Sequence, residues 1–345
     1  MIKKISFLAI IFCLGIAWVN VVKDHHETSF ARFHASDGGA VGSLAFSPDG
    51  KTLASLSMLI PNETGNIDGG GIQLWNVKTK SLIRDLRKFK KDTNPNAVSQ
   101  ILFSPDGKWL VSIDFGVNVW DTKTWKMRHV LNDASWATFS PDGKYLSVMQ
   151  DGRMSLVNTT SWEVDKKFQT EMDPQAVAFS PDGKLLAGAS YTFEPTVFSP
   201  NDQKSGGELR SNVRLWDTKT GRVKRAIKLS TWATAVAFST DDRSLVIDTE
   251  KGIDVWNVKT GVYVRNLKQD DNVSAIIFLQ NGVLISAGKG LIEFWDLQKG
   301  TRLYTLKCQK YIRSMAVSAD NSILACGDDQ GLIHLWKLNK IKLPR

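Results

Sequence analysis

The side chains that most often perform catalysis are not arranged here in any familiar catalytic spacing. The sequence has no His-Glu-x-x-His, Cys-x-x-Cys, Walker phosphate loop or Gly-x-Ser-x-Gly. Gly69-Gly70-Gly71 is not followed by a helix that would aim amides at a phosphate, and His25-His26 suits a solvated linker better than a metal site. We therefore predict a non-enzymatic protein with no catalytic residue, no metal site and no cofactor.

Aromatic and basic side chains at irregular places in the chain form the candidate binding set instead. Aromatic rings and arginine are the groups that most often anchor protein–protein contacts. We predict a partner-binding site built from Lys90, Lys91, Trp136, Tyr191, Phe193, Trp232, Tyr311 and Arg313. For Trp136 and Trp232, packing inside the fold is an equal alternative to partner contact.

A repeated turn sequence must position these residues. Phe followed by Ser-Pro-Asp-Gly-Lys begins at Phe46, Phe103, Phe139 and Phe179, and weaker copies begin at Phe238, Phe278 and Val317. Proline presets φ at the second turn position, aspartate suits the third, and glycine accepts the left-handed conformation that closes the turn. Each copy therefore predicts a hairpin between two strands.

Apolar columns on both sides of that turn predict four short strands in each of seven units. Seven residues after the Phe position stand Leu53, Leu110, Leu146, Leu186, Leu245, Ile285 and Leu324. A third strand ends at Trp75, Trp120, Trp216, Trp256, Trp295 and Trp336, with Val157 in the third unit. A polar turn then leads to a fourth strand, and no helical period interrupts the pattern.

The chain resembles the WD-repeat (WD40) β-propellers from about residue 29 to residue 338. The Leu-Trp-Asp sequence at 215–217, the Phe-Trp-Asp sequence at 294–296 and the Phe-Ser-Pro-Asp-Gly turns carry the resemblance. It implies an all-β fold, a seven-bladed propeller of four-stranded antiparallel blades. The family's Gly-His dipeptide before the first strand is missing from every unit. The chain therefore departs from the family in the buried hydrogen-bond network built on that histidine.

The resemblance also implies how the ring closes and where the domain ends. The seventh unit stops just after Trp336 without a fourth strand of its own, whereas residues 29–33 are extended and have no earlier partner. We expect that segment to complete the seventh blade. The predicted organisation is a leader or anchor at 1–22, a linker at 23–28, the propeller at 29–338 and a basic tail at 339–345.

The first 22 residues indicate the location of the protein. Lys3 and Lys4 precede an apolar run over residues 5–22, which is typical of a secretory signal and long enough for a single membrane anchor if it is not cleaved. We predict an exported protein, periplasmic or extracellular, or one anchored to the membrane by its N-terminus. A cytoplasm-facing anchored protein is the alternative. The net charge of +9 permits an acidic partner or surface without requiring one.

Three insertions interrupt the repeats. The spacing from the Phe position to the Trp position is 17 to 19 residues in five units, but 29 in the first and 37 in the fourth. The extra residues fall near 58–71 and 191–212, and residues 88–96 lengthen the link between the first two units. In a propeller these links lie on one face, which favours a binding surface over neutral variation of loops. The sequence Phe198-Ser-Pro-Asn-Asp in the second insertion is similar to the repeat turn, but residues 204–211 are too polar for the buried strand of an eighth blade, so a loop is expected over 191–212.

Two further patterns concern the fourth strands and the cysteines. One fourth-strand column reads Arg84, His129, Lys166, Arg225, Arg265 and Tyr304. We expect these charges to discourage edge-to-edge aggregation, and a positive rim that meets anionic headgroups or polyanions is the alternative. Cys308 and Cys326 are predicted to be small buried residues rather than a disulfide.

These patterns together predict a non-catalytic scaffold that binds a protein or peptide on the propeller face carrying the insertions. One alternative is an envelope enzyme or small-ligand-binding propeller with its site at the pore mouth. Nucleic acid is not an expected partner, because the sequence has no alternating aromatic and basic groove motif and export would separate the chain from it.

Overall fold

The structure is a computed structural model that describes residues 31–35, 39–57, 71–88, 98–114, 116–132, 134–150, 153–168, 170, 174, 176–195, 207–269 and 273–341. The predicted leader and linker, Lys90, Lys91, most of the first and third insertions and residues 342–345 lie outside this range. No helix within the described ranges is long and apolar enough to cross a bilayer.

Short antiparallel strands make up nearly all of the described chain. In chain order they are β1 Ala31–His34, β2 Val41–Phe46, β3 Thr52–Ser57, β4 Gly71–Asn76, β5 Leu82–Lys88, β6 Val98–Phe103, β7 Trp109–Asp114, β8 Val117–Asp121, β9 Lys126–Leu131, β10 Ala134–Phe139, β11 Tyr145–Gln150, β12 Arg153–Asn158, β13 Val164–Lys167, β14 Ala176–Phe179, β15 Leu185–Pro195, β16 Gly207–Asp217, β17 Val223–Leu229, β18 Ala233–Phe238, β19 Ser244–Thr249, β20 Gly252–Asn257, β21 Tyr263–Leu267, β22 Val273–Phe278, β23 Leu284–Asp296, β24 Thr301–Val317, β25 Ile323–Asp328 and β26 Leu332–Lys337. A single 3-10 turn, Leu338–Lys340, follows the last strand.

These strands form five four-stranded sheets and one six-stranded sheet. Each four-stranded sheet uses consecutive strands, beginning with β2, β6, β10, β14 or β18. The six-stranded sheet has the order β1-β26-β25-β24-β23-β22, because the long β23 and β24 each pair on both sides of a bend. All pairs are antiparallel, as predicted.

The first strand of each repeat unit lies innermost, and in the seventh unit that strand is the second half of β24. These inner strands contact one another in the closed cycle β2, β6, β10, β14, β18, β22, β24 and back to β2. The hydrophobic core lies between neighbouring sheets rather than inside any one of them. Leu56 and Leu74 of the first sheet, for example, pack with Ile101, Leu110 and Trp120 of the second. Each sheet therefore depends on its neighbours for burial of its apolar faces.

The chain closes the cycle by pairing its beginning with its end. Strand β1 pairs antiparallel with β26, from Ala31 opposite Leu335 to His34 opposite Leu332. Phe33 also packs against Trp75 of the first sheet, with ring centroids 4.7 Å apart. The predicted closure is confirmed over residues 31–34. It removes an unpaired sheet edge where the two ends of the chain meet.

Each Ser-Pro-Asp-Gly turn satisfies its own polar groups. In the second sheet the Ser104 hydroxyl donates to the Asp106 carboxylate at 2.7 Å, and the Lys108 amide donates to the same oxygen at 3.1 Å. The Trp109 amide donates to Ser104 Oγ at 2.9 Å. Gly107 closes the turn with φ of 72°, a conformation that suits glycine. The predicted hairpin is therefore a self-contained hydrogen-bonded unit.

The residues of the predicted Phe, Leu and Trp columns are cross-strand neighbours, with a change of register in one unit. Leu53 pairs with both Phe46 and Trp75, and equivalent rows recur in the other sheets. In the sixth unit the turn is one residue shorter, so Phe278 pairs with Leu284 and Ile285 moves one step along the strand. Cys326 is fully buried and, as predicted, in no disulfide.

Tryptophan–serine hydrogen bonds replace the missing histidine network in three units. The indole N–H groups of Trp75, Trp120 and Trp295 donate to Ser55, Ser112 and Ser286 at 2.9, 3.0 and 2.9 Å. Where Gly188, Ile247 or Cys326 stands in place of the serine, the indole N–H of that unit is buried without a hydrogen-bond partner in the described chain. One column on the second strand thus decides whether the tryptophan is satisfied.

Two residues in the basic column of the fourth strands, Arg225 and Lys166, connect neighbouring sheets. Arg225 of β17 donates to the carbonyls of Thr260 and Lys259, at 2.7 and 2.8 Å, in the turn of the next sheet. Lys166 of β13 likewise donates to the Thr218 carbonyl at 2.8 Å. These side chains bind turn carbonyls, so neither predicted role, edge protection or a free positive rim, describes them.

Candidate partner-binding face

The antiparallel strand order gives the ring two chemically different faces. Turns between first and second strands, and between third and fourth strands, lie on one face, which we call the turn face. Links between second and third strands, and from a fourth strand to the next inner strand, lie on the other, the insertion face. All three sequence insertions start from strand ends on the insertion face.

The largest insertion begins as a hairpin extension of the fourth sheet. Strands β15 and β16 stay paired for eleven residues each, from Leu185 opposite Asp217 to Pro195 opposite Gly207. The expectation of a loop over residues 191–212 is therefore wrong for the described part. Cross-strand hydrogen bonds satisfy the backbone of a hairpin whatever its polarity, so polar residues do not prevent it. Tyr191 and Phe193 lie on β15, opposite Ser211 and Leu209.

In six of the seven repeat units the inner strand has a one-residue β-bulge near the insertion face. Such bulges re-aim side chains and are frequent beside functional sites. The residues at these bulges are Gly42, Ser99, Ser135, Thr234, Ser274 and Arg313. Five of them are small, and Arg313 places a long cation where its counterparts have almost no side chain.

Arg313 and Tyr311 form one unit. The guanidinium carbon of Arg313 lies 4.8 Å from the centroid of the Tyr311 ring, within the range of a cation–π contact. Ile312 between them is fully buried and fixes the strand. Lys289 pairs with Tyr311 across the sheet, and Lys289 and Lys310 are both exposed. This cluster, which we call the arginine cluster, presents positive charge beside an aromatic ring.

The two tryptophans predicted with equal alternatives are placed differently. Trp136 is half-buried and packs against the cluster that contains Met149, Met154 and Trp216. Trp232, by contrast, is 45% exposed, although Ala233 beside it is fully buried. Trp136 therefore has a packing role, and Trp232 keeps a large apolar surface available on the insertion face.

A buried acid near this face was missed by the sequence reasoning. Asp248 on β19 is only 4% exposed, accepts a hydrogen bond from the Thr234 hydroxyl through Oδ2, and has no partner for Oδ1 in the described chain. Burial raises its pKa to about 6, against the opposing effect of the Thr234 hydrogen bond. The corresponding positions in the other units are Leu56, Ile113, Met149, Ala189, Ala287 and Gly327. A comparison of this second-strand position between the units would have identified Asp248 as the one charged residue in it.

A second buried acid, Asp328, is the last residue of β25 and pairs with a buried histidine. It is fully buried, and its Oδ2 lies 2.8 Å from Nε2 of the buried His334. Its Oδ1 accepts the amides of Gln330 and Leu332, both at 2.9 Å. Burial raises the pKa of Asp328, but the hydrogen bonds from His334 and the two amides outweigh it and lower the pKa below its ordinary value.

The fold and its repeats define the class of the protein. Among solved structures, a WD40-propeller chain of "Crystal Structure of Mitotic Checkpoint Complex" superposes with a TM-score of 0.72 over 97% of this chain and 99% of that chain, at 16% identity. This shows a β-propeller fold. The family described as "WD domain, G-beta repeat" matches residues 27–76, 84–121 and 300–337. WD40 repeats are thus found in three places along the chain, and the predicted resemblance to the WD40-repeat propellers is confirmed.

Three curated relatives match this chain over half or less of their own length. Autophagy-related protein 16 of Arabidopsis thaliana is 24% identical over 332 residues, which cover 91% of this chain and 50% of that protein. Pre-rRNA-processing protein crb3/ipi3 of Schizosaccharomyces pombe is 24% identical over 36% of this chain and 28% of its own length. Telomerase protein component 1 of Rattus norvegicus is 31% identical over 34% of this chain and 5% of its own length. The chain spans half or less of each of these relatives.

Proposed function

We propose that this chain is a seven-bladed, non-catalytic scaffold that binds an acidic protein segment or peptide on its insertion face. The observation that carries the proposal is the arginine cluster, where Arg313 stacks on Tyr311 at a bulge position that holds small residues in other units. The closed cycle of seven inner strands supports the blade count.

Charge and shape favour an acidic partner. Arg313, Lys289 and Lys310 supply exposed cations on neighbouring strands. Arginine binds a carboxylate through two parallel N–H groups, which gives orientation as well as attraction. Trp232 offers a separate apolar anchor, so a segment with acidic and apolar side chains would use both. The hairpin extension of β15 and β16 adds a wall to the same face.

The comparisons are compatible with a binding role. The solved neighbour is described as part of a complex, and the relatives are described by autophagy and pre-rRNA processing. We propose only the general role for this chain, association with other proteins. Its location outside the cytoplasm, or at a membrane through residues 5–22, is also proposed on the sequence pattern.

Cross-linking in cells followed by purification tests the binding role. The wild type is compared with an Arg313→Ala, Tyr311→Ala, Trp232→Ala variant and with a variant in which Asn-Gly replaces residues 192–210. Arg243→Ala on the turn face is the matched control, because Arg243 is exposed and lies far along the strand direction from the cluster.

We expect partners that are captured by the wild type and by Arg243→Ala but lost from the triple variant. The same partners with all four proteins would refute the insertion face as the binding surface. Absence of any partner, together with a small molecule that copurifies with the protein, would replace the scaffold by a ligand-binding propeller.

A further inference from the structure

Five outer strands carry an exposed apolar side chain at their turn-face end. Each is directly opposite the third-strand residue of the tryptophan column and is 42–47% exposed. These residues are Leu82, Met127, Val164, Val223 and Tyr263. Single exposed apolar residues are common, but here the same position is apolar in five successive sheets.

An exposed lysine precedes four of these apolar residues by four positions, in the turn between third and fourth strands. The lysines are Lys78, Lys123, Lys219 and Lys259. The neighbouring turn carboxylates have other cations: Asp217 pairs with Lys224 at 2.9 Å and Asp121 with Arg128 at 4.0 Å. No ion pair within the described residues involves the four lysines. We call these four lysines and the five apolar residues the turn-face rim.

The arrangement of the turn-face rim fits a flat partner better than a folded one. A protein partner recognises one patch of specific shape, whereas the rim repeats one chemistry at successive sheets around the ring. A lipid surface presents the same chemistry everywhere in its plane. Lysines attract anionic headgroups, and apolar side chains beside them enter the boundary between headgroups and acyl chains.

The chain termini lead to the same face. Strand β26 ends at the turn face, and β1 runs antiparallel to it, with Ala31 opposite Leu335. The chain therefore enters β1 from the turn-face side, at Ala31. The eight residues 23–30 could span at most about 29 Å, which would hold the apolar segment 5–22 close to this face. Lys340, in the 3-10 turn that follows β26, lies on the same side, and Lys342 and Arg345 come after it in the sequence.

We propose that the turn-face rim lies on an anionic lipid surface and directs the insertion face away from the bilayer, toward a protein partner. The inference rests on the proposed membrane attachment through residues 5–22, which would bring the rim to the bilayer. It assigns separate roles to the two faces.

Fluorescence of the full chain in vesicles tests this orientation. A Val223→Cys variant, with Cys13 and Cys308 replaced by serine, carries an environment-sensitive dye on the rim, and a Trp232→Cys variant carries it on the insertion face. Both proteins are reconstituted into phosphatidylcholine vesicles with or without 30 mol% phosphatidylglycerol. We expect a blue shift at position 223 only in the anionic vesicles, and no shift at position 232.

Charge reversal supplies the matched control. Lys→Glu at 78, 123, 219 and 259 should abolish the shift, whereas Lys→Glu at 167, 228, 251 and 268, exposed lysines near the insertion face, should leave it unchanged. Lys→Gln at the same rim positions replaces the reversal if melting shows that it disturbs the fold. Salt at 0.5 M should weaken the shift of the wild type, because it screens the attraction.

The possible results separate the two proposals. If the chain remains in the vesicles after carbonate extraction but the dye at 223 stays in water, the attachment holds and the rim proposal is refuted. If carbonate removes the chain but the rim-dependent shift on anionic vesicles persists, the rim proposal holds and the anchor is refuted. Equal shifts at 223 and 232 would also overturn the proposed orientation.

Discussion

The turn face and the insertion face differ in how their polar groups are satisfied. On the turn face, each Ser-Pro-Asp-Gly turn pairs its hydroxyl, carboxylate and amides within five residues, as Ser104 and Asp106 do. On the insertion face, a buried carboxyl oxygen of Asp248 has no hydrogen-bond partner among the described residues, a large tryptophan is exposed, and a hairpin extends beyond its sheet. Regular repetition thus stabilises one side of the ring, and exceptions collect on the other.

In a repeat protein, the positions that depart from the repeat are the best candidates for function. A position that agrees in every unit reports what each sheet needs for folding. A position that disagrees in one unit must be explained by that unit alone. Arg313 among small bulge residues and Asp248 among apolar residues are such positions. Both lie near the insertion face, where the fold tolerates deviation from the repeat.

Deleting Ala31–His34 should have the largest effect on stability, because it removes the strand that closes the ring of sheets. Without β1, strand β26 becomes an open edge and Trp75 loses its contact with Phe33. We expect the loss of most of the roughly 5–15 kcal/mol that stabilises a domain. Thermal unfolding by circular dichroism would show a lower and broader transition. Deletion of residues 342–345 is the control, and equal melting of the two deletions would contradict the closure argument.

Replacing Asp248 by asparagine should reveal a stability term that depends on pH. The pKa of Asp248 in the folded protein is about 6, against an ordinary value of 3.8, so the folded state favours the protonated form. This group therefore stabilises the fold below its unfolded pKa, and that contribution is lost as pH rises through about 6. At pH 8 the difference corresponds to about 3 kcal/mol.

Asp248→Asn should accordingly melt above the wild type at pH 8 and close to it at pH 4. Urea unfolding at both pH values measures the difference in the free energy of unfolding. Glu250→Gln, at an exposed acid two residues further along the chain, is the matched control for the substitution. A constant offset between wild type and Asp248→Asn at all pH values would show that folding does not raise the pKa of this carboxyl.

Much of the fold followed from the sequence because its repeats are local. The Phe, Leu and Trp columns meet in the structure since a four-residue turn fixes the register of the strands beside it. Ile285 was misplaced by one step, because a shorter turn shifts the register. The extension of β15 and β16 was expected to be a loop, because its residues are too polar for a buried strand. A hairpin that extends beyond its sheet does not need buried side chains, so this criterion did not apply.

The candidate site was harder to predict than the fold. Tyr311 and Arg313 were chosen from their position at the start of an inner strand, but the sequence could not place one over the other. Asp248 escaped notice because its partner Thr234 is at a bulge, and a bulge shifts the alignment of neighbouring strands. The basic fourth-strand column reaches carbonyls about 35 residues away along the chain, as Arg225 does, and such contacts have no local sequence signal.

Replacing Asp106 by alanine should weaken the turn face moderately. The Ser104 hydroxyl and the Lys108 amide would lose their acceptor. Removing the acceptor of two partly exposed hydrogen bonds should lower the free energy of unfolding by about 1–2 kcal/mol. Urea unfolding measures the change, and Glu250→Ala, an exposed acid outside any such turn, is the control. Equal losses for both substitutions would mean that the turn is not self-stabilised.

The smallest expected effect concerns the contact that joins one sheet's outer strand to the turn of the next. Arg225→Met retains most of the apolar stem of the side chain but removes the two donors to the carbonyls of Thr260 and Lys259. Because these carbonyls stay accessible to water, we expect a loss of only about 1 kcal/mol. Arg84→Met is the matched control, since Arg84 occupies the same column in the first unit and is exposed. Hydrogen exchange is the sharper measurement: amides around Thr260 should exchange faster in Arg225→Met, while those of the Ser104 turn stay unchanged. Faster exchange throughout the ring would mean that Arg225 supports global stability, and the self-contained character assigned to each turn would then be wrong.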